Sequence, residues 1–224
     1  VKVVLGFALT LLCVSCTPIS PAAKIPKSEP QVIRLTGTPE YSQHGATWKK
    51  LTPGQKLTPG VHLRTPANSH VDIALTLPNT FMRLAPASEA IIELDKLDRN
   101  ISETQLNLKS GRLLVSVPKL EMSSIFEVKL GLAGVAGVRG GRNPDEPTEL
   151  EADSNGVVTV SSGGAVVVHF TDFGRIDGGM ATLVAGQTMK PRKHNDSFSG
   201  SADPSPLERL RLEFRELHAP STIK

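Results

Sequence analysis

The sequence predicts an all-β fold of short antiparallel strands in a roll-like arrangement, closed by one C-terminal amphipathic helix. Three observations carry this. Apolar residues alternate with period two in short runs, the spacing of a strand with one buried face. Turn residues recur between these runs at hairpin intervals. With aromatic residues at 4%, 19 Gly and 17 Pro, the core must come from Val, Leu and Ile between frequent turns, a composition that suits strands better than long helices. At 224 residues one domain with a real core is expected. The formal net charge of +3 is a scattered excess without a block of like charges, so no nucleic-acid partner is expected.

Residues 1–15 read as a lipoprotein signal peptide. Lys2 precedes an apolar or small-residue run over residues 3–14, the length of an export h-region and too short to span a bilayer. The run ends in Leu12-Cys13-Val14-Ser15-Cys16, and a small residue before a Cys resembles the lipobox of bacterial lipoproteins, in which that Cys is diacylated and becomes the first residue. Cys16 is the candidate lipidation site, with cleavage near Ala22-Ala23 as the alternative. Thr17 follows Cys16 in place of Asp, which by analogy with lipoprotein sorting points to the outer membrane, facing the periplasm. A redox reading of Cys13 and Cys16 would need a folded strand-to-helix setting that an export segment does not supply. The mature chain then keeps no thiol for a disulfide or a metal. Residues 16–31, rich in Pro, Lys and Ser, carry no hydrophobic period and read as a tether.

The β domain is expected over residues 32–189. Val71, Ile73, Leu75 and Leu77 alternate with Asp72, Ala74 and Thr76; Leu106 and Leu108, then Leu113, Val115 and Val117, then Phe126, Val128 and Leu130 continue the pattern. Turns are expected at Pro53-Gly54, Pro59-Gly60, Pro78-Asn79, Ser110-Gly111, Asn155-Gly156, Gly163-Gly164, Asp177-Gly178-Gly179 and Ala185-Gly186. Trp48, the single Trp, is expected to be a large and mostly buried contributor to a core short of aromatics. A polar hinge over 190–204 leads to a helix over 205–218. Ser205, Pro206 and Glu208 form a capping box with Pro at the first helical position; Leu207, Leu210, Phe214 and Leu217 share one face, Arg209 and Glu213 can pair, and Pro220 ends the run. That stripe is expected to dock on a β domain that folds without it.

These residues carry a family resemblance. Trp48-Lys49-Lys50-Leu51, then Gly54, Leu57, Gly60, Leu63-Arg64-Thr65, Ser69, Val71, Leu75, Arg83-Leu84 and Leu94 look like the first half of a FecR-type domain. Leu108-Lys109-Ser110-Gly111-Arg112-Leu113-Leu114-Val115, Phe126-Glu127-Val128, Ala136-Gly137-Val138-Arg139-Gly140, Val158-Thr159-Val160 and Val184-Ala185-Gly186-Gln187 are similar to its later blocks. The pattern departs after Gly140, where Gly141-Arg142-Asn143-Pro144 and an acidic stretch to Glu151 replace a Thr and an aromatic-containing strand; a solvated loop is expected there. The family's namesake is a membrane-spanning regulator with an anti-sigma segment ahead of its β domain. Here an export segment stands in that place, so the resemblance implies no anti-sigma role.

Gly131, Gly134, Gly137 and Gly140 recur every third residue, which allows tight bends or close backbone approach. Their spacing matches neither a phosphate loop nor a dinucleotide fingerprint. Arg139, the charge within this run, is expected to fork onto backbone carbonyls or a carboxylate. With Trp48, Gly137 and Gly140 it completes the set of candidate interaction or structural residues. The six histidines are dispersed, and a metal would need His62, His70 and Asp72 to converge. Ser123 and Ser161 lack a nucleophile elbow. No cofactor, metal or enzyme activity is therefore expected. The primary expectation is an envelope interaction or scaffold module, lipid-anchored to the membrane and binding an envelope protein or cell-wall polymer. The alternatives are a signal-sensing domain acting with a separate membrane partner and a hydrolase of envelope glycans.

Overall fold

The computed structural model describes residues 29–45, 47–139, 146–170, 180–190 and 204–220. Among them the strands, in chain order, are β1 (Gln31–Thr36), β2 (Glu40–Gln43), β3 (Lys49–Lys50), β4 (Val61–Thr65), β5 (His70–Ala74), β6 (Phe81–Leu84), β7 (Ser88–Asp98) and β8 (Ile101–Ser110). There follow β9 (Arg112–Val117), β10 (Ile125–Leu130), β11 (Gly134–Arg139), β12 (Thr148–Asp153), β13 (Val158–Ser162), β14 (Ala165–Phe170), β15 (Met180–Leu183) and β16 (Thr188–Met189), then the helix α1 (Pro204–His218). The protein is thus all-β with one C-terminal helix. The first sheet has seven strands in the order β1-β5-β6-β9-β12-β13-β16, the second nine in the order β15-β14-β11-β10-β8-β7-β4-β2-β3. The signal peptide, Cys16, most of the tether, Gly140 to Asp145, the turn at Asp177-Gly178-Gly179 and most of the hinge lie outside the described residues.

Period two does what it should. The inward residues of both sheets, among them Ile73, Met82, Val115, Leu150 and Val160 from the first and Leu63, Ile92, Leu106, Val128 and Val168 from the second, form one buried cluster. Positive φ falls at the expected turns, at Gly54, Asn79, Gly111, Gly156, Gly163 and Gly186. At Gly111 the chain leaves β8 in the second sheet and enters β9 in the first with no other residue between. A Cβ there would run into Ser88 and the Ala87 carbonyl, so only Gly turns this corner. From β9 the chain returns to the second sheet as β10, beside β8 and parallel to it. Parallel neighbours need a crossover, and here the crossover is a strand of the opposite sheet.

One turn was not marked by the sequence, and two expectations need correction. The longest hairpin, β7–β8, has no Gly or Pro at its tip: Arg99 and Asn100 both take positive φ, 47° and 74°, the two-residue geometry that matches strand twist. The acidic stretch is not a loop throughout, because Thr148–Asp153 is a strand paired to β9 on one side and β13 on the other. Glu149 and Glu151 alternate with inward Leu150 and Ala152, so the period-two pattern is present there in a form that charge disguised. Trp48 is half-buried and outside the core. It stands just before the edge strand β3, too far to the margin to reach between the sheets.

The glycine series divides in two. Gly134 has φ +155°, and a Cβ on it would overlap the His169 carbonyl across the β11–β14 pair. Gly137 needs no such exemption: its nearest neighbour would be the Val167 carbonyl at an ordinary 3.8 Å. Gly134→Ala is expected to cost about 2 kcal/mol or more. Gly137→Ala should stay within about 0.5 kcal/mol of wild type, or gain slightly from a stiffer unfolded chain. Chemical denaturation of the two variants checks the division.

Candidate functional site

The two outer sheet faces differ. That of the first sheet is covered by α1, whose Leu210, Phe214 and Leu217 are buried in a second apolar cluster with Ala85 and Leu114, packed against Phe81. Beneath the helix sits Asp72 of β5, fully buried. It accepts from Arg34 Nε at 2.9 Å and, in a bidentate pair, from Arg83 Nε at 2.7 Å and Nη2 at 2.9 Å. Both arginines reach on to the helix. Arg34 donates to the Glu216 and Leu217 carbonyls, and Arg83 to the Glu216 carboxylate at 3.0 Å. The last carbonyls of a helix lack partners within it and carry its negative dipole end, so two guanidiniums there satisfy both needs. Burial works against the charge on Arg83, but its bonds to Asp72 and Glu216 outweigh that and raise its pKa. A second node lies alongside: Glu151 accepts from Arg112 at 2.6 Å and from Arg209 at 2.9 Å, and Arg112 also reaches Glu213 at 3.3 Å.

This covered face also holds a Ser–His–Glu arrangement. Ser116 Oγ lies 2.9 Å from His218 Nε2, and His218 Nδ1 lies 3.8 Å from Glu149. Its geometry serves packing rather than acyl transfer. Ser116 is fully buried, so no substrate carbonyl reaches its oxygen, and Glu149 is already held by the Ser161 and Ser162 hydroxyls at 3.1 and 3.0 Å. Nor do the histidines converge. His70 and Asp72 belong to β5 in the first sheet and His62 to β4 in the second, and Asp72 is consumed by its two arginines. Among the described residues no group of three or more His, Cys, Asp or Glu could hold a metal ion, and no helix is long and apolar enough to cross a membrane.

Among the described residues no helix covers the outer face of the second sheet. Gln105, Glu127, Gly137, Val167 and Thr182 lie side by side across five strands, and the missing side chain of Gly137 leaves a shallow dip between Glu127 and the half-buried Val167. Arg139, two residues on and on the same face, is exposed. The carbonyl or carboxylate fork expected for it is not found among the described residues; it stands at the open end of β11. On the same face Arg64 lies over the Trp48 ring, 4.1 Å from its centroid, and pairs with Glu40 at 2.6 Å. Lys129 and Asn107 both donate to Glu93, joining β7, β8 and β10. These two bonds outweigh burial and hold the Glu93 carboxyl below its usual pKa. Of the sequence candidates, Gly137, Arg139 and Trp48 therefore share one face, while Gly140 and Cys16 lie outside the described residues.

At one end of the molecule an open cleft of about 290 Å³, walled by Leu77, Leu97, Pro118 and Leu120, lies between the β7–β8 tip and the loop after β9. It is at the small end for a ligand site. Asp95 braces it, accepting from the Thr76 amide at 2.7 Å and the Thr104 hydroxyl at 2.8 Å. Burial raises the Asp95 pKa against these bonds.

Among the described residues the protein is a two-sheet β module with one outer face covered by α1 and the other covered by no described element. A family model described as FecR protein matches residues 61–174, just over half of the chain, and the chain belongs to that family, one of signalling and regulatory proteins. No curated protein matches, and no solved structure does. The matched segment begins at β4 and ends four residues past β14, so Arg34, Trp48 and α1 lie beyond it.

The covered face generates a test of its own. Asp72→Ala leaves the buried Arg83 guanidinium and the half-buried Arg34 without their carboxylate and is expected to cost about 3–5 kcal/mol. Arg64→Ala, at an exposed pair, should cost about 1 kcal/mol or less. Equal losses in urea unfolding would show that burial does not separate the two.

Proposed function

We propose that this chain is a non-enzymatic, lipid-anchored envelope protein whose FecR domain presents the open face of its second sheet to an envelope protein or cell-wall polymer. The observation that carries the reading is the asymmetry of the two faces. One is sealed by α1 and its ion pairs, whereas the other offers the row through Glu127, Gly137 and Val167, flanked by Arg139 and by the Arg64–Trp48 stack. A flat sheet face with a dip, mixed charge and an Arg-aromatic pair has the composition of a protein contact surface. The export and lipobox-like pattern ending at Cys16 supports an anchor in the outer membrane facing the periplasm, and two acyl chains give the stable attachment that one alone does not.

A photo-crosslinking residue placed in cells at Glu127 or Val167 should give discrete adducts, and one at Leu212, exposed on the outward side of α1, should not. Adducts from Leu212 alone would move the partner surface to the helix side. For the anchor, incorporation of a fatty-acid analogue should be lost in Cys16→Ala; labelling that persists in that variant would contradict the assignment.

A further inference from the structure

The end of the molecule that holds the cleft also carries apolar side chains that the core does not use. Met122 is fully exposed, Ile101 is 47% exposed and Ile125 42%. They surround the loop between β9 and β10 and the β7–β8 tip, next to the cleft walls Leu77, Leu97 and Leu120. Lys96, Arg99 and Lys119 interleave here with Asp98, Glu103 and Glu121, so neither sign of charge dominates the rim.

The strand register shows where the chain enters. Gln31 pairs with Ala74, Ala74 with Phe81, Phe81 with Ser116, and Val117 with Thr148. That row marks one end of the first sheet, with Leu77 three residues past Ala74 and Pro118 next to Val117. The segment before Glu29 therefore joins the domain at the cleft end. Twelve residues, 17–28, separate Cys16 from Glu29; a random-coil linker of that length spans about 20 Å root-mean-square. The 11 residues of β7 run about 35 Å from one end of the second sheet to the other. A tether shorter than the body it holds keeps the near end at the membrane. The opposite end, where Leu132 is 90% exposed, is held away.

We propose that the cleft end is a membrane-facing surface which seats Ile101, Met122 and Ile125 at the headgroup–acyl boundary of a phospholipid bilayer. Balanced rim charge means that apolar contact, not attraction to anionic lipid, supplies the affinity, and the anchor supplies the local concentration. The orientation leaves the open face of the second sheet upright beside the bilayer and accessible to a partner. This rests on the anchor reading of Cys16.

The test uses the full lipidated chain in phosphatidylcholine vesicles with brominated acyl chains. In a Trp48→Phe background, Met122→Trp is expected to be quenched several-fold more than Leu132→Trp, and Ile101→Trp, as a second reporter, should follow Met122→Trp. Both reporters sit at exposed positions, and circular dichroism and melting confirm that each variant keeps the fold. Equal or reversed quenching on chains that float with the vesicles overturns the proposal alone and leaves the apolar end to a protein partner. A wild-type chain that does not float overturns the anchor reading as well.

Discussion

A carboxylate with no access to water has to be matched by charge, and the match for Asp72 organises the C-terminal part of this protein. Desolvating one Asp costs several kcal/mol unless it is paired and hydrogen-bonded, and here the partners are Arg34 from β1 and Arg83 from β6. Neither arginine is spent on Asp72 alone. Each has nitrogens left over, and these point to the final turn of α1, where carbonyls stand open. The helix is therefore held in two ways: Leu210, Phe214 and Leu217 press on Leu114 and Ala85, and the ion cluster fixes where along the sheet its C-terminus stops. Apolar contact gives the affinity and the guanidiniums give the register.

With one outer face sealed, the outer face of the second sheet is the one that no described element covers. Both sheets contribute inward residues to one core, so the second sheet cannot turn its outer face inward without breaking that core. Its outer row mixes Gln105, Glu127, Val167 and Thr182 around a residue with no side chain. A face of this kind has modest apolar area, and binding to it draws on shape and on a few anchors such as the Arg64–Trp48 stack more than on bulk hydrophobicity. That fits the signalling and regulatory character of the FecR family. The Ser116–His218–Glu149 grouping shows how chemically suggestive neighbours arise from packing: a hydroxyl, an imidazole and a carboxylate satisfy one another under a helix.

Much of this was legible before any coordinates. Alternation located β5, β9 and β10 because the inward positions of each are Val, Ile, Leu or Phe, although α1 also buries Asp72 on β5 and Leu114 and Ser116 on β9 from the other side, and the three- and four-residue spacing of Leu210, Phe214 and Leu217 marked the side of α1 that packs. Turns were legible where Gly or Asn carries the positive φ. The β7–β8 tip was not, because Arg99 beside Asn100 also takes positive φ, a conformation rare for Arg, held there by two long strands. β12 was hidden for a different reason. Its outward positions are Glu149 and Glu151, and carboxylates read as solvated unless the arginines and hydroxyls that receive them are known, and these lie far away in sequence. The same limit applies to Asp72, whose period-two position told its face but not that a helix would cover it. The division of strands between sheets and the parallel β8–β10 pair depend on the corner at Gly111, which sequence marks as a turn without saying that it changes sheets. Gly137 was read as a packing glycine because its neighbours in the series are; only the register shows that nothing crowds it.

The contact between Arg34 and the Glu216 carbonyl joins positions 182 residues apart. In a chain made from its N-terminus, β1, β5 and β6 can pair long before the helix exists. Until the last turn of α1 arrives, Asp72, Arg34 and Arg83 face water, and Leu114 and Ala85 lie bare beside them. The β roll can assemble early, yet its covered face has no finished form until synthesis is almost complete. Folds dominated by distant pairings gather slowly, and here the delay is set by chain order as well. During that interval the molecule has two open faces instead of one, and the helix that arrives last is what makes them different.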